Sequence, residues 1–190
     1  EVELACNASW YDYYTFSSGD KKMKMPGIFA GADFFKIFSY PLLQGTAADA
    51  LKDPESIAIS NKMATSLFGS DNAAINKTLR FENYKDLKVT AVFTDLPANV
   101  SEHFDYLINW DLFVEREPWL KEWDNSGPTT FVQLRADADP AQVEHKIQHF
   151  IKKYSKKYSE QNRLELGLQR YDQKYLHSNF KNGYIAGGRI

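Results

Sequence analysis

The residues whose spacing could do chemistry fall into three small sets. Ser18-Gly19-Asp20-Lys21, Ser70-Asp71-Asn72 and Lys181-Asn182-Gly183 follow the order of the Ser-x-x-Lys, Ser-Asp-Asn and Lys-Thr-Gly boxes that acylate a serine. In that chemistry the serine opens a long apolar helix, so that the lysine one turn later reaches its hydroxyl. Here Gly19-Asp20 reads as a hairpin turn, and the third box lacks its threonine. His145 and His149 stand four apart, a spacing that can hold zinc on one helix face. Their face is opposite the apolar stripe of Val143, Ile147 and Ile151, and a closed site would need further ligands, with Glu144, Asp137 and Asp139 the nearest acids in sequence. Two surface histidines are the plainer reading. Cys6 has no histidine or basic neighbour in sequence and reads as a small buried side chain rather than a nucleophile. Gly187-Gly188 lacks the Lys-Ser/Thr pair and the strand–helix setting of a phosphate loop. No catalytic residue, metal or cofactor is expected.

The aromatic residues point elsewhere. Trp10, Tyr11, Tyr13, Tyr14 and Phe16 crowd one strand-like run, and Trp110, Trp119 and Trp123 gather later in the chain. Trp and Tyr anchor interfaces because they bury a large area at low entropic cost. Most of these rings are expected to line a core. Trp10, Tyr14, Trp119 and Trp123 are the candidates for a partner surface.

Composition narrows the class. The chain has 190 residues, enough for one large domain or two small subdomains. It is 43% hydrophobic and 15% aromatic, which favours a folded chain over a disordered one. Its net charge of −2 lacks the basic excess of a nucleic-acid binder. A single cysteine excludes an intrachain disulfide. No apolar run is long enough to span a bilayer, and no signal peptide appears.

The elements that must position these residues follow from periodicity. Residues 2–16 are β-rich, 17–20 turn, and 21–30 return as a strand. Asp33 is placed to cap a short helix over 34–38 that Pro41 ends, and Thr46 to cap another through Leu51. Ser56 to Ser60 is a short buried strand. Ser60 caps a helix with the stripe Met63, Ala64, Leu67 and Phe68, and Gly69 stops it. Residues 78–83 and 87–94 form a second hairpin, 104–111 another strand, and 112–127 are less regular. Thr129 to Arg135 is a strand. Asp139-Pro140 opens a helix that reaches about Tyr158, burying Val143, Ile147, Phe150, Ile151, Tyr154 and Tyr158. A last strand spans 164–171, and 172–190 are irregular.

Several marks recur in a familiar order: Phe34-Phe35, Pro41-Leu42-Leu43-Gln44-Gly45, Ala50-Leu51-Lys52-Asp53-Pro54, Ser56-Ile57, Leu67-Phe68-Gly69, Lys77-Thr78-Leu79 and Val89-Thr90-Ala91-Val92. In this order and spacing the chain resembles the extracytoplasmic domain of MacB-like, FtsX-related ABC transporter permeases of the Bacteroidetes type. The resemblance is strongest over 34–93. It departs from the family at Ala73-Ala74, where proline is usual, and at Asn76, where glycine is usual; Asn is the best substitute in the left-handed region.

The resemblance implies an α+β fold. A split membrane-proximal, porter-like βαβ layer would comprise 1–30 plus 126–190, and a projecting, sabre-like mixed α/β lobe would comprise 31–125. It also implies a non-catalytic domain at the periplasmic face of the inner membrane, excised between two membrane spans. That domain would relay ATP hydrolysis by a cytoplasmic ATPase to a periplasmic event. The implied partners are that ATPase through the membrane part, a second permease copy and a periplasmic protein; no nucleic acid is implied. A ligand-binding extracytoplasmic sensor domain is the alternative. Lys152-Lys153 and Lys156-Lys157, around Tyr154 and Tyr158, read as the solvated end of a helix or, in a membrane setting, as neighbours of lipid headgroups.

Overall fold

Alternation of apolar and polar residues builds a strand-rich mixed α/β structure. The computed structural model describes residues 1–100, 102–125, 127–159, 164–181 and 184–188. The first strand-like run divides into β1 (Val2–Ala8) and β2 (Asp12–Ser18), and β3 (Lys21–Ala30) returns against β2. The break at Ser9 is held by hydrogen bonds. Its N–H donates to the Phe29 carbonyl at 2.9 Å, and its hydroxyl accepts from the Phe29 N–H at 3.0 Å.

Helix α1 (Phe34–Ile37) follows, but Asp33 does not cap it. The Asp33 carboxylate accepts from Lys36 Nζ at 2.8 Å, one turn on, so the ion pair displaces the expected cap. Strand β4 (Leu42–Gln44) leads to a helical turn at Thr46 and then to β5 (Ser56–Ser60), all of it buried. The next caps form as expected. Ser60 Oγ accepts from the Met63 N–H at 3.1 Å to start α2 (Asn61–Phe68), and Gly69 at φ 93° ends it in the left-handed region. A short α3 (Asp71–Ala74) precedes Asn76, whose φ of 62° shows asparagine filling the left-handed position. Strands β6 (Thr78–Phe81) and β7 (Lys85–Phe93) then form the second hairpin.

The next stretch differs from expectation. Strand β8 (Tyr106–Asn109) is shorter, because the Asn109 side chain accepts from the Asp111 N–H at 2.7 Å. That cap starts α4 (Trp110–Arg116) inside residues expected to be strand or irregular. A 3-10 turn, Pro118–Lys121, follows, and β9 (Thr129–Leu134) is a strand as expected.

Among the described residues, nine strands join one sheet. Six of them pair in a closed circuit, β2 to β6, β7, β5, β8, β3 and back to β2. β1 pairs with β3 at Ala8 and Ala30 and carries β9 on its other side, and β4 adds to β7. Thus β2 and β3, which the resemblance groups with 126–190, take backbone partners from β6 and β8 in the 31–125 stretch.

The sheet's two faces build two apolar clusters. One holds Phe16, Phe29, Ile57, Ile59, Phe81, Val89, Tyr106 and Ile108 beneath Met63, Leu67, Leu112 and Phe113. The other holds Ile28, Ala30, Ala58, Ala91 and Leu107 against Phe34, Phe35, Leu51, Phe93 and Phe104. Covered on both faces, β5 and β8 are buried at every position rather than alternately, with polar residues only at their ends.

The chain divides into two units, Val2–Lys121 with Ser126–Gln133, and Glu1 with Glu122–Asn125 and Leu134–Ile190. The second unit departs furthest from expectation. Asp139 Oδ1 accepts from the Ala141 N–H at 3.0 Å and starts α5 (Pro140–Ile147), which ends well before Tyr158. Beyond it lies a 3-10 turn, Phe150–Lys153. A continued helix would place Lys152 by Lys156 and Lys153 by Lys157, two like-charge pairs at i,i+4. Instead the Asp124 carboxylate accepts from Ser155 Oγ and, at 3.2 Å, from the Lys157 N–H. Of the expected stripe, Val143 and Ile151 are buried, whereas Phe150 and Tyr154 are exposed.

Residues 164–171 are not a strand. The Leu166 N–H donates to the Gln148 carbonyl at 3.1 Å, and Leu164 is exposed. The stretch expected to be irregular contains a 3-10 turn, Tyr171–Gln173, and a hairpin of β10 (Asn179–Lys181) with β11 (Tyr184–Gly187).

Gly27 stands where the circuit is tightest. It pairs with Asp12 on one side and Tyr106 on the other. A Cβ there would lie 2.4 Å from the Tyr106 carbonyl oxygen and 2.6 Å from its ring. Gly27→Val is therefore expected to cost on the order of 1–3 kcal/mol through forced overpacking. Urea unfolding should show a lower midpoint with an unchanged slope, and a wild-type midpoint would refute the packing described here.

Candidate interaction surface

The four aromatic candidates lie in two places. Trp10, in the link between β1 and β2, stacks on Trp119 with centroids 6.1 Å apart and planes 7° apart. It also meets Phe113 of α4 edge-on at 5.5 Å. The Trp119 indole N–H donates to the Glu117 carboxylate at 2.8 Å, which fixes that ring's plane. Gly127 lies against both indoles: a Cβ there would be 3.2 Å from Trp10 and 3.3 Å from Trp119. Trp10 is still 49% exposed, and Tyr13 on β2 is 58% exposed. An indole pair held at one edge and open to solvent at the other suits an interface anchor.

Tyr14 points the other way, into the first apolar cluster. Its ring meets Phe29 at 5.9 Å, Phe81 at 5.1 Å and Tyr106 at 6.4 Å. Phe29 in turn stacks on Phe113 at 5.1 Å. Rings therefore touch in an unbroken series from Trp119 through Trp10, Phe113 and Phe29 to Tyr14. Trp123 belongs to the second unit, where it stacks on Tyr154 at 4.8 Å and meets Phe150 at 5.6 Å.

One residue of this neighbourhood carries no sequence signal. The Arg116 guanidinium lies 4.8 Å from the centre of the Tyr14 ring, 5.2 Å from Phe81 and 5.8 Å from Tyr84. Its Nη1 is buried and has no hydrogen-bond partner among the described residues. The ring faces supply its nearby negative potential, as cation–π contacts. They come from β2, β6 and the turn before β7, three segments that no linear motif connects.

The sets with chemical spacing have structural work. Ser18 to Lys21 make the turn between β2 and β3, with Gly19 at φ 56°, and Lys21 Nζ donates to the Ser66 carbonyl at 2.9 Å. Ser70 Oγ accepts from the Ala73 N–H at 3.1 Å and caps α3. The Asp71 carboxylate accepts from Gln44 Nε2 at 3.0 Å, which holds its pKa below the usual range. Lys181 lies in β10; Asn182 and Gly183 fall outside the described residues.

His145 and His149 are both exposed, and His149 Nδ1 is 3.7 Å from Glu165. No group of three or more His, Cys, Asp or Glu able to hold a metal occurs among the described residues. Cys6 is buried, its thiol 3.2 Å from the Asn7 carbonyl and 3.6 Å from that of Gly31. Burial pushes its pKa up to about 11, which keeps it a thiol.

Comparison with known proteins gives these surfaces a context. The profile of the MacB-like periplasmic core domain matches residues 3–150. A solved domain assigned to a permease protein from Porphyromonas gingivalis is 25% identical with a TM-score of 0.66, over 82% of this chain and 71% of that one. The periplasmic region of MacB from Actinobacillus actinomycetemcomitans is 14% identical with a TM-score of 0.58, over 80% and 67%. The extracellular domain of the noncanonic ABC-type transporter YknZ from Gram-positive bacteria is 13% identical with a TM-score of 0.52, over 77% and 71%. At such low identity the last two share the fold alone. No curated protein matches the chain significantly. Among the described residues, no helix is long and apolar enough to cross a membrane.

Burial pushes the Tyr14 phenol up to about 12, with the Arg116 cation pulling the other way. A raised folded pKa contributes stability in full below the unfolded value, near 10, and loses it as pH climbs through the folded one. Folding stability should therefore fall between roughly pH 10 and pH 12. Tyr14→Phe should fall less steeply there, and identical slopes in urea unfolding across that window would refute the assignment.

Proposed function

Because the chain belongs to the MacB-like periplasmic core domains, we propose that it is the non-catalytic periplasmic part of an ABC permease that couples cytoplasmic ATP hydrolysis to a periplasmic event by mechanotransmission. One observation carries the reading beyond the family. The Trp10–Trp119 pair, with Trp10 exposed and Trp119 partly buried, is joined ring by ring, through Phe113 and Phe29, to the closed strand circuit. Close-packed interiors deform little and pass strain on. A load on the two indoles would thus reach the sheet without being dissipated in a loop.

In this reading Trp10 and Trp119 receive a periplasmic protein, with Tyr14 as the inner end of the ring series. The missing membrane part connects to the cytoplasmic ATPase and to a second permease copy. The porter-like and sabre-like division of 1–30 plus 126–190 against 31–125 belongs to the same proposal. The periplasmic event is efflux of a small compound or peptide, extraction of a lipoprotein, or activation of a cell-wall hydrolase. The serine and cysteine sets support a non-catalytic role, since their described members hold a turn, a cap and a buried position.

The test has two parts. The gene should encode hydrophobic spans on both sides of this segment, with an ATPase encoded nearby; flanks lacking both would overturn the reading. In the purified full-length permease with its ATPase, Trp10→Ala combined with Trp119→Ala should leave basal ATP hydrolysis intact. The same variant should abolish growth complementation of a strain lacking the permease. Full complementation by the double variant would refute transmission through the indole pair.

A further inference from the structure

We propose that the second unit carries a docking surface for an anionic lipid bilayer, formed by Trp123, Phe150 and Tyr154 together with Lys152, Lys153, Lys156 and Lys157. The three rings form one cluster, with Trp123 to Tyr154 at 4.8 Å, Phe150 to Tyr154 at 4.9 Å and Trp123 to Phe150 at 5.6 Å. Each stays open to solvent, Trp123 at 47%, Phe150 at 39% and Tyr154 at 46%. The four lysines are exposed, and residues 150–159 contain no acidic residue. Nearby acids include Glu122, which is exposed, Asp124, whose carboxylate is committed to Ser155 and the Lys157 N–H, and Glu165, whose carboxylate accepts from Gln148 Nε2 and meets His149.

The mixture of side chains selects the occupant. Trp and Tyr settle at the headgroup level of bilayers, and lysine stems lie along apolar surface while their ammonium groups reach water or phosphate. Each lysine near an anionic surface adds about 1 kcal/mol of attraction. A protein partner suits the patch less well: lysine is depleted in protein interfaces, and fixing such long side chains carries an entropic cost. A bilayer surface leaves the ammonium groups mobile and needs no shape match. The structure departs from a regular helix here in a way that serves this end. Ending α5 at Ile147 and turning at Phe150–Lys153 puts Phe150 and Tyr154 on the outside with the lysines. The inference deepens the proposed function, which it needs only to supply an adjacent bilayer.

The experiment uses the 190-residue chain and vesicles of phosphatidylcholine with and without phosphatidylglycerol. Sedimentation should show binding to the phosphatidylglycerol vesicles, weakened by added salt. Changing Lys152, Lys153, Lys156 and Lys157 together to Gln should weaken it by at least about tenfold, while thermal unfolding stays as in wild type because all four are exposed. Trp123→Ala with Phe150→Ala should lower binding yet keep its salt dependence. Equal binding to both vesicle types, binding to neither, retention by the lysine variant, or tighter binding of a single-stranded oligonucleotide would each overturn the proposal. These outcomes leave the permease reading standing, since that reading is judged on gene flanks, ATP hydrolysis and complementation.

Discussion

The architecture turns on one narrow seam. The strand circuit closes because β2 pairs with β6, and in register that contact is only Phe16 with Phe81 and Ser17 with Arg80. Two paired positions cannot hold a twisted sheet shut through backbone bonds alone. Side chains complete the closure: Phe16 meets Phe81 at 5.5 Å and Tyr106 at 4.8 Å, and all three are fully buried. Each buried ring contributes about 1.5–3 kcal/mol relative to exposure. Glu82 extends the seam, its N–H donating to the Thr15 carbonyl at 2.9 Å and its carboxylate accepting from the Thr15 N–H. Arg116 then lies across it, over Tyr14 of β2 and Phe81 of β6. Helix α4 is thereby tied to the closure rather than merely resting on the sheet.

This constraint explains the placement of the candidate surface. The link at Ser9–Tyr11 must carry the chain from β1, beside the end of β3, into β2, beside its beginning. Ser9 fixes the corner against Phe29, and the next residue, Trp10, is turned onto Trp119 and Phe113. The two stacked indoles, of which Trp10 is exposed, are thus a product of how the circuit is entered. Their rigidity derives from the same ring series that fills the interior. Tyr106 is bound into it as well: its hydroxyl donates to the Asp12 carbonyl at 3.1 Å, and burial raises its pKa.

What could be read from the sequence was what depends on near neighbours in the chain. Ser60, Gly69, Asp139 and Asn76 act within one turn of themselves, and each does what its chemistry suggests. Asp33 departs from this pattern because Lys36 competes for its carboxylate at the same range. The closed circuit was not legible, since β3 with β8 and β2 with β6 join residues far apart in sequence. Nor was the start of α4, where a single Asn109 bond switches strand to helix. The pairing of Trp10 with Trp119 and the ring cage of Arg116 also depend on tertiary placement. By contrast, the ordered Phe, Pro, Gly and Leu marks of the middle third, each a packing or turning residue, were enough to indicate the family.

The two units use apolar residues in opposite ways. In the first, both sheet faces are covered, and large side chains such as Phe16, Phe81 and Phe93 are wholly enclosed. In the second, Val143 and Ile151 are buried, whereas Trp123, Tyr154, Tyr171, Tyr175 and Phe180 remain open to solvent. Rings left open to solvent in this way contribute little against the entropy of ordering the chain. Its short 3-10 turns and isolated β10–β11 hairpin are of a kind that gains stability from an external surface.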